Sequence, residues 1–423
     1  MRARIALLAP LLALLAALAG CSERDRANPL DPANPQTGGR PAGFTALADF
    51  DVVRLSWTAQ PGLSIDGFRV LRFAPGDTAW QAITAVLPPS TGGVLDLAVA
   101  NGRLYQYRLY YVIRGALGSQ PAADHATPGP ARPWVADDGS GELVRLTADG
   151  RHVLASFDDA GDVQSVGVDP GTGEVWTSAA YDGVVSVRTP DGLQPVIMQG
   201  LDSPFTLAIT PFDHSAWICQ SVSLAHRDPS GTAGVPAAIG PPTEPFDTPS
   251  GVAIDPRDFS IWVCENGGAR LRHFARDGSP VSTGFEPLPS RAAVDSVTRE
   301  VWVTSFERGV VLRLGQNAAV IDSSLAASGP IGLAVDPYRG RVWVADAVGN
   351  RVIALDPATD HVLFTVNGIA GAVDVSVDRA TGDAWVVARS AQSIVHLDSN
   401  GKVLETLGGF SDPVGISVDP GLE

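Results

Sequence analysis

The chain has almost no lysine: Lys402 is the only one among the 30 basic residues of its 423 residues. With 46 acidic residues, the formal net charge is −16. The arginines are scattered along the chain, so we predict no cationic surface that would collect phosphate groups. This composition excludes a typical basic nucleic-acid-binding protein, and we expect no nucleic-acid partner.

Cysteine is also scarce, with three residues in the chain, Cys21, Cys219 and Cys264. Cys219 and Cys264 occupy equivalent positions in consecutive copies of a repeat that is described below. Equivalent positions in neighbouring sheets lie about 10 Å apart, whereas a disulfide needs Cα atoms within about 7 Å. We therefore expect two small buried thiols and no disulfide.

Several motifs that mark common enzyme classes are missing. The chain has no HExxH, no CxxC, no GxSxG nucleophile elbow and no P-loop. Its seven histidines do not cluster at the spacing of metal ligands. No catalytic residue can therefore be assigned from a motif, and whether the protein is an enzyme stays open, with a non-enzymatic role favoured.

The N-terminus has the pattern of a secretion signal. Arg2 and Arg4 precede an apolar run that is too short and too rich in alanine for a stable membrane span, which predicts a signal peptide over residues 1–20. The ending Leu18-Ala19-Gly20-Cys21 resembles the bacterial lipobox. The resemblance implies that Cys21 is lipidated, and Ser22 at the next position implies sorting to the outer membrane of a Gram-negative host. We expect a lipid-anchored envelope protein, periplasmic or surface-exposed.

Two segments follow the signal. Residues 21–40 are dense in Pro, Asn, Gly and charge, which predicts a flexible tether. Residues 41–128 hold short alternating runs between turn residues, which predicts a small antiparallel sandwich. Trp57 and the phrase GRLYQYR at 102–108 are similar to a fibronectin type III domain. The resemblance implies that Trp57 lies in the core, that Tyr105 or Tyr107 hydrogen-bonds across a corner, and that the domain spaces its neighbour.

Tryptophan sets the period of the rest of the chain. Seven tryptophans follow one another at gaps of 42, 41, 45, 40, 41 and 42 residues: Trp134, Trp176, Trp217, Trp262, Trp302, Trp343 and Trp385. Seven residues before each of them, from the second onward, stand Asp169, Thr210, Asp255, Asp295, Asp336 and Asp378, and Asp419 follows with no tryptophan after it. A period near forty predicts a repeat array. Each copy holds four short β-runs, which predicts one propeller blade per repeat.

The copies also resemble a known repeat type. VGVDPGTGEVWTSA at 166–179 and GLAVDPYRGRVWVAD at 332–346 are similar to NHL and YVTN-type propeller repeats, and the resemblance covers residues 132–423. The first copy begins with a second-strand phrase at Trp134, and the last ends with a first-strand phrase, Val414 to Asp419. We predict that these two phrases pair in one composite blade. The expected fold is therefore all-β: a fibronectin type III-like sandwich followed by a seven-bladed β-propeller closed by its terminal strands.

The repeated residues are expected to be structural. A tryptophan in the second strand of every blade can pack between adjacent sheets. An aspartate at the end of the first strand can accept backbone N–H groups of the following turn. Ligation of one metal ion by these aspartates is not expected, because a ring holds them far apart.

Binding residues are expected at the mouth of the channel, in the loops between second and third strands and in the connections between blades. The candidates are Glu265, Asn266, Glu307, Arg308, Asp346, Asn350 and Arg389, with Asp137, Asp138, Tyr181, Asp182, Gln220 and Gln392 in the same loops. Glu265, Glu307 and Asp346 come from consecutive blades and could hold Ca²⁺, as in calcium-dependent gluconolactonase-like propellers. The alternative is that exposed loops are simply polar, so no metal or cofactor is assigned.

Two functions therefore remain open. The first is a monomeric, lipid-anchored binding or scaffold protein whose sandwich presents a propeller to a protein or glycan partner. The second is a secreted propeller enzyme, a metal-dependent lactonase or a lyase that resembles the streptogramin-inactivating family. The repeat phrases fit both, because propellers of this type serve many functions.

The lipobox makes a direct prediction. The variant Cys21→Ala should give a folded protein that no longer sediments with membranes, because acyl chains on this residue are the expected anchor. Fractionation after a high-salt wash measures this, with Ser22→Ala as the control that keeps the anchor. If Cys21→Ala still sediments with membranes, Cys21 is not the anchor.

Overall fold

The structure is a computed structural model that describes residues 28–159, 161–193, 195–239, 245–285, 288–324 and 327–419. The predicted signal peptide and Cys21 lie outside these residues. The chain forms two compact units: the first runs to Thr127 apart from Leu47–Asp51, and the second begins at Pro128. Among the described residues, no helix is both long and apolar enough to cross a membrane.

The described part of the predicted tether, residues 28–40, is a series of turns. Asn34 is buried, and its side-chain oxygen accepts the backbone N–H groups of Gln36, at 2.8 Å, and Thr37, at 3.1 Å. The Thr37 hydroxyl donates to the carbonyl oxygen of Pro29 at 2.8 Å. This part of the segment is therefore held in local turns and is not extended.

The chain from 45 to 126 contains two antiparallel sheets. Its strands are β1 (Thr45–Asp49), β2 (Val52–Ser56), β3 (Gly67–Phe73), β4 (Gln81–Ala82), β5 (Gly93–Asp96), β6 (Tyr105–Ile113), β7 (Ala116–Leu117) and β8 (Ala122–Ala126). One sheet has the order β1-β2-β5, and the other has the order β4-β3-β6-β7 with β8 paired to β6. The buried positions of β6 alternate with more exposed ones, as expected for strands with one face on a core.

Aromatic side chains fill the core of this unit. Trp57 is buried, and its ring centroid lies 5.5 Å from that of Phe68, which in turn lies 5.6 Å from the ring of Tyr111. The hydroxyl oxygen of Tyr105 accepts the backbone N–H of Ala100 at 2.9 Å. This is the upstream bond expected of a tyrosine corner.

The second unit consists of repeated antiparallel sheets. Its strands are β9 (Arg132–Asp137), β10 (Glu142–Leu146), β11 (Val153–Asp158), β12 (Ser165–Val168), β13 (Val175–Ala179), β14 (Val184–Arg188), β15 (Val196–Met198), β16 (Leu207–Ile209), β17 (Ala216–Cys219), β18 (Leu224–Arg227), β19 (Ala233–Ile239), β20 (Pro249–Ile254), β21 (Ile261–Glu265), β22 (Arg270–Phe274), β23 (Pro280–Phe285), β24 (Pro289–Val294), β25 (Val301–Ser305), β26 (Val310–Leu314), β27 (Val320–Ser324), β28 (Pro330–Asp336), β29 (Arg341–Asp346), β30 (Arg351–Leu355), β31 (Val362–Asn367), β32 (Ala372–Val377), β33 (Ala384–Ala388), β34 (Ser393–Leu397), β35 (Val403–Gly408) and β36 (Pro413–Asp419). A 3₁₀ turn, Arg389–Ala391, follows β33.

The described residues place these strands in seven four-stranded sheets. Sheet 1 has the order β36-β9-β10-β11, and sheets 2 to 7 are the consecutive groups β12–β15, β16–β19, β20–β23, β24–β27, β28–β31 and β32–β35. The first strands β36, β12, β16, β20, β24, β28 and β32 contact one another in this order, and β32 contacts β36 again. The sheets therefore form a closed ring around an axial channel.

The two ends of the repeat meet in sheet 1, as the sequence predicted. Strand β36 pairs antiparallel with β9, and Ile416 lies opposite Val135, Ser417 opposite Trp134 and Val418 opposite Pro133. The Ser417 hydroxyl also accepts the backbone N–H of Val168, in sheet 2, at 3.0 Å. The C-terminal strand is thus bound both to its own sheet and to the next.

Each repeated tryptophan packs against the following sheet. Trp176 belongs to one apolar cluster with Ile218 of sheet 3, Trp343 to one with Val386 of sheet 7, and Trp385 of sheet 7 to one with residues of sheet 1. The seven apolar clusters that contain one tryptophan each follow one another around the ring. Because an aromatic side chain buries about 150–250 Å², these contacts are the main apolar joints between sheets. The predicted role of the tryptophans is confirmed.

Five of the six aspartates of the first turns act as predicted, and the residues that follow Asp419 lie outside the described part of the chain. The side-chain oxygens of Asp169, Asp255, Asp295 and Asp378 accept the backbone N–H two residues further on, at 2.8, 2.9, 2.7 and 2.8 Å. Asp336 accepts the N–H of Arg339 at 3.2 Å. Cys219 and Cys264 are free and buried, as expected.

Closure by β36 predicts a global effect of truncation. Deleting 412–423 should lower the melting temperature of the whole ring by at least about 5 °C, because it removes Ile416 and Val418 from the cluster around Trp385. Deleting 420–423 only, which leaves β36 intact, is the control. Calorimetry of both variants measures this. Equal melting temperatures for the two would show that β36 does not hold the ring.

Candidate functional site

The ring has two ends with different chemistry. Because the strands alternate in direction, the loops between second and third strands and the connections between sheets lie at one end, which we call the loop end. The turns between first and second strands, such as Asp336 to Arg341, lie at the other, which we call the turn end. The predicted binding residues all belong to the loop end.

Glu265 is fully buried at the end of β21. Its carboxylate accepts Arg270 Nη2 at 2.7 Å, Arg272 Nη1 at 3.2 Å and the backbone N–H of Asp247 at 3.2 Å. Asp247 belongs to the connection that enters sheet 4. Glu265 therefore holds this connection and two arginines in place, and its oxygens do not face an open mouth.

Asp346 has the same role at the end of β29. It is fully buried and accepts the backbone N–H groups of Ser328 at 3.1 Å and Gly329 at 2.8 Å, together with Arg351 Nε at 2.8 Å. Burial by itself would raise the pKa of Asp346, but the Ser328 N–H and the Arg351 guanidinium outweigh it. The pKa of this carboxyl consequently lies below its ordinary value.

The equivalent residue holds the incoming connection in two more sheets. Asp137 accepts the backbone N–H groups of Ser411 at 2.9 Å and Asp412 at 2.6 Å. Gln220 accepts the N–H of Asp202 at 3.0 Å through its side-chain oxygen. All four acceptors stand three residues after a repeated tryptophan, and this recurrence in the sequence is the signal that could have predicted their structural role.

The other candidate residues differ in their exposure and in their hydrogen bonds. Glu307 and Arg308 are exposed at the tip between β25 and β26. Asn350 has a left-handed backbone, with φ of 51°, and its side-chain oxygen accepts the N–H of Gly371 at 2.8 Å. Arg389 forms a double ion pair with Asp412, with both bonds at 2.6 Å. Of these residues, Glu307 and Arg308 present the most accessible charges.

Asn266 continues the loop that starts at Glu265. Its backbone N–H donates to the carbonyl oxygen of Thr248 at 3.0 Å, and the side chain is partly exposed. In the described part of the chain, no group of three or more His, Cys, Asp or Glu side chains is arranged to hold a metal ion. The structure therefore does not bring Glu265, Glu307 and Asp346 together as one ligand set.

The loop end also exposes large apolar side chains that no sequence motif singles out. Tyr181, in the loop between β13 and β14, is 89% exposed, the highest value among the large apolar side chains. Val348, between β29 and β30, is 58% exposed. Both side chains lie in loops between second and third strands, at the same end of the ring as Glu307 and Arg308.

The histidines of the ring lie away from the loop end. His226, His273 and His396 sit near the ends of third strands and stack on Trp217, Trp262 and Trp385, with ring centroids 4.2, 3.9 and 3.9 Å apart. His152, His214 and His361 are in or beside turns at the turn end. No ring histidine is therefore placed to serve as a general base at the loop end.

The channel opens at the turn end into a cavity of about 370 Å³. Aliphatic side chains of first strands, including Val168, Leu207 and Ile254, form part of its walls, together with polar groups. Its rim carries prolines that follow the first strands, among them Pro170 and Pro337. The binding residues predicted from the sequence lie at the opposite end. The recurrence of proline after the turn aspartate was the available signal, because a ring brings these prolines together.

Comparison with solved structures identifies the fold of the ring. Virginiamycin B lyase from Staphylococcus aureus matches with a TM-score of 0.51 and 18% identity, over 58% of this chain and 84% of that one. A functionally unknown protein from Desulfotomaculum acetoxidans matches with a TM-score of 0.57 and 13% identity, over 69% and 99%. Hydrazine synthase from Kuenenia stuttgartiensis matches with a TM-score of 0.53 and 13% identity, over 69% and 92%.

The ring is a β-propeller. Identities this low show a shared fold and carry no activity across, since propellers serve many functions. No protein-family model and no curated protein sequence matches the chain. The function of this propeller must therefore be argued from its own residues.

The buried carboxylates give a pH-dependent prediction. Asp346→Asn should destabilise the propeller by about 1.5–3 kcal/mol at pH 7, because the amide cannot replace the charged acceptor. The pKa of Asp346 is lowered in the folded state, so its contribution is complete above the unfolded value of about 3.9 and is lost as pH falls through the folded value. The gap between wild type and variant should therefore shrink below about pH 4.

Urea unfolding followed by tryptophan fluorescence at pH 7 and at lower pH measures this gap. Glu307→Gln is the matched control at the same end of the propeller, and it should change stability by less than about 0.5 kcal/mol because its side chain is exposed. If both variants were equally stable at pH 7, Asp346 would not hold its connection.

Proposed function

We propose that this chain is a lipid-anchored envelope protein that binds a protein or glycan partner through the loop end of its propeller. The anchor is Cys21, exposed by removal of a signal peptide over residues 1–20. Ser22 supports sorting to the outer membrane, with the folded part periplasmic or surface-exposed and monomeric. This localisation is supported by the lipobox phrase and by the two N-terminal arginines that precede an apolar run.

We further propose that the first unit, residues 41–128, is a fibronectin type III-like domain and that the propeller, residues 132–423, is seven-bladed and of the NHL/YVTN type. The two-sheet order and the Tyr105 bond to Ala100 support the first assignment. Seven sheets in a closed circuit, with β36 beside β9, support the second. The role proposed for the sandwich is that of a spacer domain.

One observation carries the binding role. At the loop end, the carboxylates of Glu265 and Asp346 are buried and already accept several donors, whereas Tyr181 projects into solvent. Catalysis by proton transfer needs an accessible acid or base, and the accessible groups here are an aromatic ring and scattered charges. Such a surface suits recognition, in which aromatic and arginine side chains contribute most of the binding energy.

The residues that would contact the partner are those that the loop tips expose. We assign this role to Tyr181, Glu307 and Arg308, with Asn266 at the edge. Glu265, Asp346, Asn350 and Arg389 act by holding the loops and connections in position. This division follows from their hydrogen bonds and exposure.

One observation supports the enzyme alternative: the propeller has the same fold as virginiamycin B lyase. A lyase or lactonase of this kind would place its site at the mouth of the channel, and a Ca²⁺ ion there would need oxygen ligands from several blades. Glu307 is the one exposed carboxylate of the three that we considered as ligands. The geometry therefore favours binding.

A photo-crosslinking amino acid at position 181 tests the proposal in intact cells. It should capture one defined envelope partner, and excess soluble wild-type protein should compete for it. The matched control is position 338, because Tyr338 is also highly exposed, at 72%, but lies at the turn end. Arg308→Glu should weaken the capture from position 181 if this surface is the contact.

Two results would contradict the binding role. One is the same set of adducts from positions 181 and 338, which would indicate unspecific contact. The other is turnover of virginiamycin B by the purified protein, detected as a change in its mass spectrum, together with no adduct at position 181. That outcome would favour the enzyme alternative.

A further inference from the structure

The cavity at the turn end is independent of the loop-end surface and has the properties of a small-molecule site. Its volume of about 370 Å³ falls within the range of about 300–1,000 Å³ that is usual for ligand pockets. Its aliphatic lining, including Val166, Leu207, Ile254 and Val335, comes from sheets 2, 3, 4 and 6. These side chains offer apolar surface against which a hydrocarbon chain can pack.

The cavity has one charged wall residue among those described. Arg379, in the first turn of sheet 7, lines the cavity and is exposed, and its guanidinium has no hydrogen-bond acceptor within the described parts of the chain. Its backbone is fixed, because the carbonyl oxygen of Arg379 accepts Arg339 Nη1 at 3.2 Å. An arginine with free donors beside an apolar wall matches a carboxylate that carries an apolar chain.

Two serine hydroxyl groups also line the cavity. The Ser417 oxygen accepts the backbone N–H of Val168 at 3.0 Å. Among the described residues its hydroxyl proton has no acceptor, so it can donate a second bond. Ser296 stands in the rim position that proline occupies in sheets 2, 3, 4 and 6. Around the ring, Ser296 belongs to sheet 5, Arg379 to sheet 7 and Ser417 to sheet 1, and aliphatic side chains of sheets 2, 3, 4 and 6 line the rest of the cavity.

We propose that this cavity binds an aliphatic monocarboxylate, with the carboxylate on Arg379 and the chain against the aliphatic walls. The net charge of −16 repels anions over most of the surface, so binding here depends on the local cation. A neutral or cationic amphiphile of the same length would lose the bond to Arg379.

Titration of the full mature chain with octanoate tests the site directly by calorimetry, below the micelle concentration. Octanoate should bind with saturation at one site. Hexanoate should bind about fifteenfold more weakly, since each buried methylene contributes about 0.8 kcal/mol. Octylammonium should bind at least about tenfold more weakly than octanoate, because it lacks the acceptor for Arg379.

Matched variants locate the site. Arg379→Gln should weaken octanoate binding at least about tenfold, whereas Arg308→Gln, an exposed arginine at the loop end, should change it less than about twofold. Ser296→Trp should block the rim and abolish binding while the melting temperature stays unchanged. Arg379 is exposed, so its replacement leaves the fold intact and the result interpretable.

Three results would overturn the proposal. These are no saturable binding of octanoate at millimolar concentration, equal binding of octanoate and octylammonium, and equal affinity of the Arg379 and Arg308 variants. The loop-end crosslinks are not expected to change in any of these cases, so failure here and failure of the partner-binding role are distinguishable.

Discussion

The structure depends on one constraint: each sheet of the propeller has two apolar faces, and both must be covered by neighbours. Trp176 covers a face of sheet 3, and Trp385 covers a face of sheet 1. An open row of such sheets would leave two apolar faces and two strand edges in water. Only a closed ring removes them, and the pairing of β36 with β9 closes it.

Ring closure also explains why the two ends differ. At the turn end, five of the repeated aspartates close a local turn. Asp255 also bonds to the next blade, since Arg299 Nε donates to it at 2.8 Å. At the loop end, a polar residue after the second strand holds the incoming connection, as Asp346 holds Ser328 and Gly329. The buried polar residues named here at both ends therefore hold turns, connections and neighbouring blades in place.

This division shows what the sequence could predict. The tryptophan period and the turn aspartates were predictable because their partners are either repeated or two residues away, as for Asp169 and Gly171. Pairing of Ile416 with Val135 was predictable because the repeat starts with a second-strand phrase and ends with a first-strand phrase. These features depend on local patterns and on the count of repeats.

The candidate site was less predictable. The carboxylate of Asp346 meets backbone N–H groups 17 and 18 residues earlier in the chain, and a single loop sequence does not show such a contact. Glu265 likewise combines three donors from two segments. The turn-end cavity depends on first strands from all around the ring, so its walls become visible only in the assembled propeller.

Hydrogen–deuterium exchange of the first strands tests the central claim, that closure by β36 makes the ring one cooperative body. The account predicts that the amides of 415–418 in β36 exchange as slowly as those of 374–377 in β32, because both strands are paired in their sheets and packed on both neighbours. Exchange of β36 that is orders of magnitude faster, with β32 still protected, would contradict it.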